Sequence, residues 1–140
     1  MTERGIAKLK EHEGLRLKPY HCTSGKLTIG YGRNLDDRGI SKDEARAMLE
    51  NDITDFHDDC WTAFPWFRKL DPVRQDVIVQ LTFNMGLGGV KGFKLMIAAI
   101  EQQNWTQAAW ELSNSEWKAK VGKQRHDDLT NALEKGQWDR

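Results

Sequence analysis

Neither sign of charge is in excess in this sequence, where Lys plus Arg and Asp plus Glu each number 21. A nucleic-acid binder usually carries a basic surplus, so that class loses its first support. The same balance gives no pull toward an anionic membrane surface. No run of about 18 apolar residues occurs, which argues against a membrane-spanning helix. The opening stretch, MTERGIAKLKEHEG, is charged throughout and holds no apolar signal core. If the target lies outside the cytoplasm, a separate agent is expected to let the protein reach it. Cysteine is scarce: only Cys22 and Cys60 are present. Their spacing fits no zinc pattern and two thiols make no disulfide framework, so two free thiols in a reducing compartment are expected. Internal repeats and low-complexity tracts are also missing.

What is present is enough for one domain. A chain of 140 residues buries a good part of its surface without a metal or disulfide staple. Six tryptophans are many for this length. Indoles serve cores and sugar-stacking clefts alike, so the number does not decide between them.

Residues 2–13 read as a helix, with Thr2 as cap, Glu3 in the first turn and Gly14 as stop. Ile6, Leu9 and Glu13 share a face, which puts Glu13 on the apolar stripe at the last turn. Loss of water and the negative helix end both favour the protonated acid there. The alternative is a Glu that escapes to solvent at a frayed end. Residues 15–33 read as a β-hairpin around CTSGK, with Gly25 supplying the turn. In LTIGYGR, Leu27, Ile29 and Tyr31 alternate with Thr28, Gly30 and Gly32. Two glycines in a strand mean either that a bulky ligand crosses a bare face or that the chain bulges or bends.

Ser41 and Glu44 form a capping box opening a long helix with an apolar stripe of Ala45, Met48, Leu49, Ile53 and Phe56. Asp71 and Pro72 open a second, broadly apolar helix that Gly86 stops, with LGGVKG as a turn. Residues 91–103, 105–113 and 123–135 read as three more helices. The expected class is α+β, mostly α.

Three constellations compete for chemistry. His57, Asp58, Asp59 and Cys60 offer one same-face pair and no second, so a solvated helix face is the simpler reading and no metal is expected. His21 and Cys22 are strand neighbours pointing to opposite sides and cannot form a thiolate pair; His12 or His126 would have to come from elsewhere. Glu13, Cys22 and Thr28 are the more telling set. A protonated carboxyl suits a glycosidase's general acid, and the opposite side of the sugar needs a group that places water or supports positive charge.

Glu13, eight residues, Cys22, five residues, Thr28 resembles the Glu–(Asp or Cys)–Thr catalytic pattern of phage-type lysozymes, glycoside hydrolase family 24. HEGLRLKPY, LTIGYGRNL, TFNMG, GKQR and GQWD extend the resemblance over nearly the whole chain. The resemblance implies a two-lobed lysozyme-like fold in one domain, 1–140. A small β lobe of about 14–40 and a connecting helix of 41–60 would precede a helical lobe formed by 61–140 with 1–13. It implies hydrolysis of the β-1,4 bond between N-acetylmuramic acid and N-acetylglucosamine in bacterial peptidoglycan, without a cofactor. Glu13 would be the general acid, Thr28 would help hold the attacking water, and Cys22 would stand where many relatives carry Asp, either positioning water with inversion, the expected outcome, or stabilising positive charge as a thiolate, or bonding briefly to the sugar carbon. Gly30 and Gly32 would let a glycan strand approach, and Arg33 stands where some relatives carry His. Asn84 matches a polar position near the cleft, and Arg125 matches an arginine that in the family pairs with the catalytic Glu. An endolysin's life is implied too: a monomer made in the host cytoplasm, not inserted in membrane, reaching the wall through a holin and lysing the cell. A lytic transglycosylase giving 1,6-anhydro products and a non-catalytic wall-binding module are the alternatives.

Overall fold

The computed structural model describes residues 1–139. It divides into two compact units, Met1–Met48 and Leu49–Arg140. Among the described residues, seven α-helices and one small sheet make the chain α+β and mostly helical, as expected.

In the first unit, α1 spans Glu3–Glu13. Thr2 caps it by accepting a hydrogen bond from Gly5 N at 3.1 Å. Gly14, at φ 71°, ends it with its N–H donated to Lys10 O. That conformation is cheap only for glycine. Strands β1 (Arg16–His21), β2 (Leu27–Gly30) and β3 (Arg33–Asn34) form an antiparallel sheet in that order. Tyr20 pairs with Thr28, and Thr28 in turn with Asn34. The register slips between Arg16 and Tyr20, where Pro19 lacks the N–H a regular ladder would need, a feature tolerated on an edge strand.

The expected hairpin over 15–33 is corrected here. LTIGYGR is not one strand: Gly30 and Gly32 have φ of 71° and 74°, the chain bends through Tyr31, and a short third strand returns. Of the two readings of these glycines, the bend is the one observed.

Helix α2 (Lys42–Ala63) opens with the expected capping box. Glu44 N donates to Ser41 Oγ at 3.1 Å and Ser41 N to Glu44 Oε1 at 2.9 Å. The division between the units falls inside this helix. Met48, Leu49 and Ile53, on the expected apolar stripe, are about half exposed.

The second unit holds the core. A 3-10 turn, Pro65–Lys69, follows α2 and buries Phe67. Helix α3 (Pro72–Lys91) buries Val77, Ile78, Val79, Leu81 and Thr82, the broad apolar arc its sequence announced. Gly86 breaks it at φ 79°, ψ 164°, where a stop was expected. LGGVKG, read as a turn, is instead helical as far as Lys91. Around α3 lie α4 (Lys94–Glu101), α5 (Trp105–Ser113), α6 (Trp117–Lys120) and α7 (Lys123–Lys135). Arg74 ties α3 to the end of α7, donating to Leu133 O and Glu134 O at 2.6 Å each.

Candidate active site

Glu13 is the last residue of α1, and its carboxylate lies on the bend between β2 and β3. A Cβ built on Gly32 would fall 2.5 Å from Glu13 Oε2 and 3.1 Å from Cδ. Only a residue without a side chain lets the acid sit there. The expected apolar shelter for Glu13 is not found. Glu13 is exposed, α1 buries none of its residues, and Ile6 and Leu9 are 42% and 47% exposed. Two large apolar side chains on an otherwise charged helix are too narrow a stripe to desolvate a carboxylate.

Cys22 opens the β1–β2 turn, with its N–H donated to Lys26 O and its carbonyl accepting from Gly25 N. Its Sγ is 3.1 Å from Ser24 Oγ. The Ser24 hydroxyl first, then the backbone amides of Lys26 and Ser24, stabilise the thiolate and lower the Cys22 pKa from 9.0 to about 7. Tyr20 and Thr28 are directly paired across the ladder and share one of its faces. Thr28 is only 4% exposed, and its hydroxyl donates to Lys26 O at 2.9 Å. It sits in the middle of the sheet rather than on a bare outer face.

The other residues of the first unit fall into two kinds. A Cβ on Gly30 would meet nothing within 4 Å. Arg33 forks onto Glu44, at 2.9 Å from Oε1 and 2.6 Å from Oε2, and also donates to Gly39 O. That pairing holds Glu44 down to about 2 and fastens β3 to the start of α2.

Asn84 and Arg125, singled out far apart in sequence, come together in the second unit. Both line a cavity of about 330 Å³ with Leu49, Ile53, Val79 and Phe83. Asn84 Oδ1 accepts a hydrogen bond from Trp117 Nε1 at 3.1 Å, which fixes the amide's orientation. Asn84 and Trp117 also border a second cavity of about 680 Å³ beside Phe93. Arg125, in the first turn of α7, is exposed and makes no ion pair within its own unit among the described residues.

His126 is not a partner for a thiol. It is buried, 3.1 Å from Ser113 Oγ through Nε2 and 2.9 Å from Asp127 Oδ1 through Nδ1, with its ring against Trp117. This Ser–His–Asp order is that of a nucleophilic triad. Yet the amides after Ser113 are spent inside the helix end, Asn114 N on Trp110 O and Ser115 N on Leu112 O, so no donors remain for an oxyanion. The group is a clamp between α5 and α7. The reading of 57–60 as a solvated face holds only for Asp58 and Asp59. His57 packs on Trp61 and Phe67, and Cys60 is fully buried against Thr82 Oγ1 at 3.2 Å, its pKa raised by burial. Both thiols are free. Sequence reasoning missed Ser24 and Trp117; a hydroxyl two residues from a thiol in a turn was the available sign of the first.

A mostly helical chain with a small three-stranded sheet fits the α+β lysozyme fold, that of lysozyme-type cell-wall hydrolases, which are glycosidases. The family model of phage lysozymes matches residues 10–135, and the chain belongs to that family. It is 30% identical to a probable T4-type lysozyme of Dictyostelium discoideum over 78% of this chain and 81% of that protein. An endolysin of Acyrthosiphon pisum secondary endosymbiont phage 1 is 36% identical over 62% of this chain and 60% of its own length. An endolysin of Bacillus phage B103 is 30% identical over 88% of this chain and 47% of its own. Among the described residues, no helix is long and apolar enough to cross a membrane, and no group of three or more His, Cys, Asp or Glu is placed to hold a metal ion.

Proposed function

We propose that the chain hydrolyses the β-1,4 bond between N-acetylmuramic acid and N-acetylglucosamine in peptidoglycan, with Glu13 as general acid. Glu13 gives its proton to the departing sugar oxygen as the glycosidic C–O bond breaks. Cys22 takes the place of a second carboxylate. As a thiolate it supports the positive charge at the anomeric carbon and accepts a proton from the attacking water, which Thr28 helps to place, and attack from the far side inverts that carbon. Gly30 leaves room for the strand and Gly32 for the acid itself; in the second unit, Asn84 and Arg125 offer polar groups to a glycan.

The observation that carries this reading is the Glu13 carboxylate seated on Gly32, on the sheet that also holds a thiol with pKa about 7. Net charge supports it too. Met1–Met48 holds ten basic and seven acidic residues, so the overall neutrality conceals a positive unit suited to an anionic wall. The endolysins among its relatives support reading the chain as a monomeric endolysin, made in the host cytoplasm and released onto the wall by a holin, that lyses the host. The test is release of reducing ends from purified peptidoglycan, which Glu13→Gln should abolish.

A further inference from the structure

The second unit carries a cavity that the reaction does not use. It has a volume of about 180 Å³ and lies where the 3-10 turn meets the α4–α5 corner. Trp66 and Trp105 border it, Leu70 and Ile100 line its apolar side, and Lys69, Glu101 and Gln103 bring polar groups. One liquid water takes about 30 Å³, so the space equals about six waters, enough for one sugar ring and too little for a chain.

Both indoles are held in advance. Trp66 stacks on Phe64, with ring centroids 4.7 Å apart. Trp105 lies under the Arg74 guanidinium, 4.0 Å from its centroid, and Arg74 is itself pinned to Asp71, Leu133 O and Glu134 O. A rigid aromatic surface costs little entropy when a ligand stacks on it. The polar groups are free to bind: the side chains of Lys69, Glu101 and Gln103 make no hydrogen bond or ion pair among the described residues. Gln103 has φ 57°, the only non-glycine residue with positive φ among those described. It caps α4 in a position that usually falls to glycine, giving its N–H to Ile100 O at 2.9 Å. The backbone there bears strain and carries an amide side chain to the cavity edge.

We propose that this cavity is a second carbohydrate site, taking one N-acetylhexosamine residue of a glycan strand while the rest of the strand lies elsewhere. Two fixed indoles offer stacking surface to the apolar face of a pyranose, and a free ammonium, carboxylate and amide meet hydroxyl and acetamide groups. The proposal rests on the glycosidase reading for its ligand class. Its effect is to hold the enzyme on an insoluble wall, which matters for long chains and not for short ones.

The test uses the full chain carrying Glu13→Gln, sedimented with purified peptidoglycan sacculi. Trp66→Ala should weaken co-sedimentation by about tenfold and Gln103→Gly by about threefold. Gln103→Gly guards against a folding artefact, because glycine relieves the strained φ while removing the amide. In the active background, both variants should cleave short soluble β-1,4-linked N-acetylhexosamine oligomers at the parent rate. Sedimentation equal to the parent's in both variants overturns the second site and leaves the glycosidase intact. A parent that neither releases reducing ends nor binds sacculi overturns the glycosidase reading, and this site with it.

Discussion

Gly32→Ala separates the acid's position from the stability of the sheet. The substitution acts in two ways. The backbone at φ +74° strains any residue with a Cβ, at about 1–2 kcal/mol. The new methyl also lands 2.5 Å from Glu13 Oε2, where ordinary contact begins at 3.4 Å, so the carboxylate must withdraw by about 0.9 Å. Moving the end of a flexible side chain costs little in stability. In catalysis the same move is expensive, since misplacing a reacting group by about 1 Å can cost about 10²-fold in rate. Gly39→Ala is the control, because φ there is +60° and its Cβ would meet nothing within 4 Å. Urea unfolding should show similar losses for the two variants. Reducing-end release from sacculi should fall about 10²-fold in kcat for Gly32→Ala alone. If Gly32→Ala works as fast as Gly39→Ala, the seat on Gly32 does not position the acid and the reasoning fails.

Cys22 should impose an acid limb on activity near pH 7, since the working thiolate is lost as pH falls through a pKa of about 7. Ser24→Ala should move that limb up toward 9 and Cys22→Asp should move it down into the carboxylate range; a limb unmoved in Ser24→Ala assigns it to another group. Iodoacetamide at pH 7.5, a working value about half a unit above that pKa, should label Cys22 alone in the native protein, with Cys60 reacting only after unfolding because it is fully buried. Two labels by intact mass under native conditions would contradict this. Glu44 is held at about 2 against an ordinary 4.5. Its pairing with Arg33 therefore stabilises the fold fully above about pH 4.5 and is lost between there and pH 2. The stability difference between the parent and Glu44→Gln, followed by circular dichroism, should shrink over that window, and a difference independent of pH would remove the ion pair from the account.

Local chemistry was the legible part of the fold. The Thr2, Ser41 and Asp71 caps and the Gly14, Gly86 and Gly136 stops lie where short-range hydrogen bonding and glycine's backbone freedom put them. The bend at Gly30–Gly32 was half legible: the glycines signalled something unusual, and alternation alone cannot tell a bare strand face from a turn. LGGVKG misled because three glycines argue for a turn, whereas packing of Val90 in the core keeps the segment helical. Within the candidate site, Glu13, Cys22 and Thr28 were singled out by their spacing and by the family resemblance, but their environments were not legible. Exposure of Glu13 depends on how little the α1 stripe buries, and the Cys22 thiol depends on a turn that aims Ser24 at sulfur. Trp117 could not be tied to Asn84 from sequence, because the link crosses 33 positions.

The most direct measurement is product analysis on purified peptidoglycan with detection of the anomer first released. The account predicts free N-acetylmuramic acid reducing ends of inverted configuration from the parent chain, and none from Glu13→Gln. Products ending in 1,6-anhydro sugars, or reducing ends released by Glu13→Gln at near the parent rate, would contradict it.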